Sequence, residues 1–102
     1  WELSKAFDNS AALGTFIPLS EAGEIGNLSF HLDINGECVQ SGNTADMLFP
    51  VDKIVSYVSQ FFTLKIGDLI YTGTPAGVGP VKIGDHLEGY LGDRKLLDFH
   101  VR

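Results

Sequence analysis

The sequence predicts an α+β chain that is mainly β, and three observations carry that prediction. Leu28-Ser29-Phe30-His31-Leu32-Asp33-Ile34 alternates strictly, placing Leu28, Phe30, Leu32 and Ile34 on one face of a strand. Asn35-Gly36 follows, a pair that tolerates positive φ at both central positions of a type I′ hairpin turn. Beyond Pro50, the apolar residues Val51, Ile54, Val55, Val58, Phe61 and Phe62 recur at helical spacing, which predicts one amphipathic helix over about 51–62.

Trp1 to Ser10 shows no clean period and reads as irregular or a short edge strand. Lys5 stands between Leu3 and Phe7, where partial desolvation would make its ammonium seek an anion; an ordinary solvated lysine is the plain alternative. Thr15-Phe16-Ile17 is a short strand candidate stopped by Pro18, and Leu19 to Asn27 reads as a surface loop. The hairpin should return over Glu37 to Gln40. His31 points away from the apolar set and is expected to face solvent, and Cys38 is expected to pack rather than react. Ser41 to Asp46 either lines a site or merely links strand to helix. Pro50 suits the first helical turn, Asp52 complements the positive end of the helix dipole, and the helix should cover one sheet face.

The tetrapeptide Lys-Ile-Gly-Asp occurs at 65–68 and again at 82–85, each expected to precede a strand. It is too short to imply a structural repeat and reads as one turn chemistry used twice. Leu69-Ile70-Tyr71 is predicted as a buried strand running into Thr72-Gly73-Thr74-Pro75-Ala76-Gly77-Val78-Gly79-Pro80. His86 to Leu91, a turn at Gly92-Asp93-Arg94 and Lys95 to Val101 form a closing hairpin, with His86 and His100 on its surface.

With 102 residues and 44% hydrophobic content, one domain with a modest core is expected. Thirteen acidic against seven basic side chains give a net charge of −6, and the cations are scattered, which argues against nucleic acid and anionic membrane as partners. No apolar run approaches the roughly 18 residues of a membrane span. The single cysteine, Cys38, fits a reducing compartment, so the cytoplasm is the expected location. The chain opens on Trp1 with its one methionine at Met47, as a piece of something longer would.

The glycine-rich run offers two threonine hydroxyls and unpaired backbone N–H groups on a segment that Pro75 and Pro80 stiffen. It could hold an anionic or carbonyl ligand, or be a turn-rich connection. Gly-Lys followed by Ser or Thr is absent, so it is no P-loop, and no Gly-x-Ser-x-Gly elbow supports a serine hydrolase. The histidines lack metal-binding spacing and the acids are dispersed, so no complete metal site is expected.

Trp1 with Lys5-Ala6-Phe7-Asp8, then Asn35-Gly36-Glu37 with Gln40, then Thr72 to Pro80 occur in an order that resembles the fumarylacetoacetate hydrolase family. Thr72-Gly73-Thr74-Pro75 is the most specific element, and the resemblance covers residues 1–102 as the C-terminal part of the catalytic domain. Members acting on acylpyruvates, oxaloacetate or hydroxy-diene dioates look nearest. The resemblance implies a mixed β-sheet roll, a homodimer, a small 2-oxo-acid substrate, and Mg²⁺ or Mn²⁺ polarising its carbonyl during C–C hydrolysis, decarboxylation or tautomerisation.

By position, Lys5 is similar to the family's active-site lysine, and Thr74 to the threonine that binds the substrate carboxylate. Gly73 and Gly77 would be points of backbone approach, and Asn9 falls near a position contacting the metal region. The family's metal ligands, a Glu-x-Glu pair and an aspartate, precede the tryptophan-lysine segment, as do the histidine and glutamate of its lid, so no metal ligand is assigned in this chain. The implied role is the substrate-binding half of an enzyme, inactive as a fragment. The alternative is a non-catalytic β-rich module for binding or dimerisation.

Overall fold

The computed structural model describes residues 12–102, so Lys5, Asn9 and the predicted segment Trp1 to Ser10 lie outside the described residues. One four-stranded antiparallel sheet organises the rest: β1 (Ser29–Ile34), β2 (Glu37–Asn43), β3 (His86–Leu91) and β4 (Arg94–His100), in the order β2-β1-β3-β4. Asn35 and Gly36 adopt φ of 53° and 82° between β1 and β2, the positive pair that a type I′ turn requires. Gly92, with φ 59°, opens the tight turn between β3 and β4.

Register divides the sheet into two chemically distinct faces. Leu32 pairs with Gly89, Ile34 with Leu87 and Leu87 with Phe99, which gathers the apolar residues on one side. His31 pairs with Tyr90, Asp33 with Glu88, Glu88 with Asp98 and His86 with His100 on the other. The expected alternation of β1 is therefore present, but its polar side is half covered: the His31 and Tyr90 rings stack with centroids 4.5 Å apart.

Two register shifts interrupt the ladders. Leu32 pairs with Gln40 and Asp33 with Cys38, leaving Val39 as an extra residue in β2; Gly89 pairs with Leu97 and Tyr90 with Lys95, leaving Leu96 extra in β4. Each is a bulge, where one unpaired residue moves the following side chain to the opposite face. The Leu96 carbonyl accepts the Thr15 N–H at 2.6 Å, so Thr15 to Ile17 lies beside β4 without forming the expected strand.

Outside the sheet, several expectations are corrected. Leu19–Ala22 is one helical turn, α1, ended by Gly23 at φ 94°, rather than a loop. The amphipathic helix, α2, spans Val51–Ser59; Phe61 and Phe62 continue as a turn whose N–H groups both reach the Val58 carbonyl. Pro50 sits outside α2 as its N-cap, in extended conformation, and its carbonyl accepts from Lys53 and Ile54. None of the residues of α2 is buried, so it does not cover a sheet face as expected. The predicted strand at 69–71 is irregular backbone, with Leu69, Ile70 and Tyr71 48%, 36% and 68% exposed. Strand propensity measures fit to a pleated, half-buried surface, and these residues have no ladder partner among the described residues. The modest core expected from composition is thinner than predicted, because Leu87 is the one buried apolar side chain among the described residues.

The repeated tetrapeptide is one turn built twice. At 65–68 the Lys65 N–H donates to Asp68 Oδ2 at 2.8 Å and the Asp68 N–H returns to the Lys65 carbonyl, with Gly67 at φ 93°. At 82–85 the Lys82 N–H donates to Asp85 Oδ2 at 2.9 Å, the Asp85 N–H returns to the Lys82 carbonyl, and Gly84 has φ 96°. The second copy leads directly into β3; the first does not precede a strand.

Candidate functional site

The glycine-rich loop is fastened to the edge strand β2 at two points. Gly77, at φ 104°, lies so close to the Val39 carbonyl oxygen that a Cβ would collide with it, and the same Cβ would stand 3.0 Å from Gln40 Cγ. Glycine is required there for both its angle and its bareness. The Gln40 amide supplies the other point, donating from Nε2 to Thr74 Oγ1 at 2.8 Å and to the Pro75 carbonyl at 3.2 Å. Among the described residues nothing lies within 4 Å of a Cβ at Gly73, and its φ of 102° by itself calls for glycine.

Of the predicted site residues, Gly73, Thr74 and Gly77 share this loop, with Thr74 exposed to solvent beside half-buried Pro75. Lys5 and Asn9 fall outside the described residues, so their relation to Thr74 stays an expectation. Sequence reading placed no role on Gln40 from its own pattern. By alternation Gln40 would share a face with Cys38, which pairs with Asp33 on the polar side; the Val39 bulge instead sets it opposite Leu32. The stretch Ser41 to Asp46 proves to be the end of β2 followed by a 3₁₀ turn, and Thr44 Oγ1 accepts the Leu28 N–H while donating to the Ile25 carbonyl.

The acids are not all dispersed. His86, Glu88 and Asp98 bring potential metal-ligating atoms within 4.8 Å of one another on the polar face. The Lys95 ammonium already bonds to Asp98 Oδ2 at 2.8 Å and Glu88 Oε2 at 3.2 Å, while His86 Nε2 stands 2.6 Å from Asp98 Oδ1 and the His86 and His100 rings stack. The bond from Lys95, and then that from His86, hold the Asp98 carboxyl down at about 2. The same bonds raise the Lys95 ammonium above its ordinary range. This is an ion-pair network in which a cation, Lys95, already sits between the two carboxylates.

A groove of about 570 Å³ runs past Ile17, Leu28, Leu91 and Arg94 and shares no residue with the loop. Among the described residues, the groups hydrogen-bonded at Thr74 and Pro75 are a hydroxyl, an amide and a carbonyl. They suit an anionic oxygen, and do not fit a divalent cation that needs several anionic or imidazole ligands.

The family model described as fumarylacetoacetate (FAA) hydrolase C-terminal matches residues 1–101. Oxaloacetate tautomerase YcgM of Escherichia coli K12 is 51% identical over 88 residues, spanning 85% of this chain and 40% of that protein. A Yersinia pestis CO92 structure described as a fumarylacetoacetate hydrolase family protein superposes with a TM-score of 0.93 at 44% identity, covering 100% of this chain and 46% of the other. Fumarylpyruvate hydrolase of Pseudomonas aeruginosa, solved in complex with Mn²⁺ and pyruvate, superposes with a TM-score of 0.88 at 39% identity over 99% of this chain and 43% of its own. The chain thus spans less than half the length of each of these relatives. By the family model, the identities and the superpositions together, the chain belongs to the fumarylacetoacetate hydrolase family.

Proposed function

We propose that this chain is the substrate-binding half of an enzyme that acts on small 2-oxo or β-dicarbonyl acids through an enolate, by C–C hydrolysis, decarboxylation or tautomerisation. The observation that carries the reading is the Thr74 hydroxyl, held at the exposed side of a loop that Gln40 and Gly77 fasten to β2. A relative with the same fold was solved with pyruvate, itself a small 2-oxo acid.

In this reading Thr74 and neighbouring backbone N–H groups bind the substrate carboxylate, and Gly73 and Gly77 let the backbone come close. Lys5 neutralises the carboxylate and the charge that develops on the enolate, and Asn9 lies toward the metal region. Mg²⁺ or Mn²⁺, held by carboxylates preceding this chain, would supply Lewis-acid polarisation of the substrate carbonyl. A homodimer in the cytoplasm completes the proposal. No helix among the described residues is long and apolar enough to cross a membrane.

The test is a Mg²⁺-dependent assay of the full-length protein on oxaloacetate and acylpyruvates, with this chain alone as the control. Turnover by the full-length protein and none by the fragment is expected. Lys5→Ala should lower kcat/KM tenfold to a hundredfold, about 1.4 to 3 kcal/mol of transition-state stabilisation. Unchanged kinetics would remove Lys5 from the site, and absence of turnover on every substrate of the class would leave a binding or dimerisation module.

A further inference from the structure

We propose that Gln40 is a positioning residue that fixes the Thr74 hydroxyl as an outward hydrogen-bond donor, so that the loop selects a ligand presenting an anionic or carbonyl oxygen. The inference rests on the reading of Thr74 as the carboxylate-binding group and assigns the device that sets its polarity.

The reasoning starts at Pro75. Its carbonyl can only accept, so the Gln40 terminal amide must turn its NH₂ group, not its oxygen, toward the loop. The same nitrogen lies 2.8 Å from Thr74 Oγ1, and an amide nitrogen has no lone pair to accept with. One N–H serves Pro75 and the other serves Thr74. The Thr74 oxygen is therefore the acceptor in its bond to Gln40, and its own proton must be given elsewhere. A hydroxyl in this state is a donor directed away from Gln40, and its strongest partner is a carboxylate or an enolate oxygen.

The backbone supports this arrangement from both sides. The Val39 bulge turns Gln40 toward the loop, and the close approach of Gly77 to the Val39 carbonyl keeps the loop against the same two residues. Pro75 restricts the chain between Thr74 and Gly77. The donor is thus oriented before a ligand arrives, which reduces the ordering cost of binding.

The proposal is tested in the full-length protein with Mg²⁺ by calorimetric binding of oxalate, whose adjacent carboxylates resemble the enolate of a 2-oxo acid. Four forms make a cycle: wild type, Gln40→Met, Thr74→Val and the double variant. Gln40→Met should weaken oxalate roughly two- to tenfold, the range of one neutral hydrogen bond. In the Thr74→Val background the same change should have no further effect, because the group it orients is gone. Equal weakening by Gln40→Met in both backgrounds, or none in either, would overturn the positioning role while leaving Thr74 as a binding group. Oxalate affinity unchanged by Thr74→Val would overturn both that reading and this proposal. Gln40→Glu is the second variant should Gln40→Met not fold. Its carboxylate would accept a hydrogen bond from the Thr74 hydroxyl and oppose the Pro75 carbonyl, and roughly tenfold or greater loss of oxalate affinity is expected, with wild-type affinity overturning the proposal.

Discussion

Asn35 and Asp85 are bonded across two turns: Asn35 Nδ2 donates to Asp85 Oδ1 at 3.0 Å, while Asn35 Oδ1 accepts the His86 N–H at 2.9 Å. The backbone adds a third bond, from the Asn35 N–H to the His86 carbonyl. The residue that makes the first hairpin turn thus also anchors the entry to β3. Asn35→Gly keeps the positive φ and deletes both side-chain bonds, so it should cost about 1 to 3 kcal/mol of unfolding free energy. Denaturant titration of the full-length protein measures it, and wild-type stability would mean that the clamp contributes nothing.

Asp85 is buried, and its carboxyl is held below the ordinary range, first by the Lys82 backbone N–H and then by the Asn35 amide, against the opposing effect of burial. A carboxyl depressed in the folded state stabilises above its unfolded value of 3.8, and that contribution is lost as pH falls through the lower folded value. Acid unfolding followed by circular dichroism should be flatter below about pH 4 in Asp85→Asn than in wild type.

The exposed network around Asp98 has the same sign and a different salt response. Its carboxyl, held at about 2 against an ordinary 3.8, contributes stability above the ordinary value that disappears as pH falls toward 2. Because Asp98 and Lys95 are exposed, high salt should erase the difference between wild type and Asp98→Asn while leaving that of Asp85→Asn largely intact. Equal salt sensitivity of the two variants would contradict the geometry.

Gly73 and Gly77 should separate in mutation. Gly73→Ala meets none of the described residues and carries the strain of its positive φ, on the order of 1 to 2 kcal/mol. Gly77→Ala adds a collision with the Val39 carbonyl and must displace the loop from β2. Oxalate binding in the full-length protein is expected to fall further in Gly77→Ala than in Gly73→Ala, and the reverse order would dissociate the loop from β2.

The hairpins were legible in the sequence because strict alternation and Asn35-Gly36 specify a turn and two faces through local contacts alone. The repeated Lys-Ile-Gly-Asp turn was legible for the same reason. Leu69 to Tyr71 misled, since apolar residues of strand type form a strand only when a neighbour supplies the ladder. The Gln40 contact was hidden by the Val39 bulge, which breaks the period from which a face is read. Thr74 and the two loop glycines stood out as a stiff, hydroxyl-bearing segment, but the direction of the Thr74 proton depends on an amide 34 residues away in sequence.

The paired turns at 65–68 and 82–85 differ in what must break to open them. Among the described residues, Asp68 is held within its own tetrapeptide, while Asp85 is also tied to Asn35 and, through its carbonyl, to the Val101 N–H. Opening the first turn is a local fluctuation; opening the second disturbs both hairpins. The Lys65 amide should therefore exchange its hydrogen for solvent deuterium well before the Lys82 amide, although the same four residues build both turns.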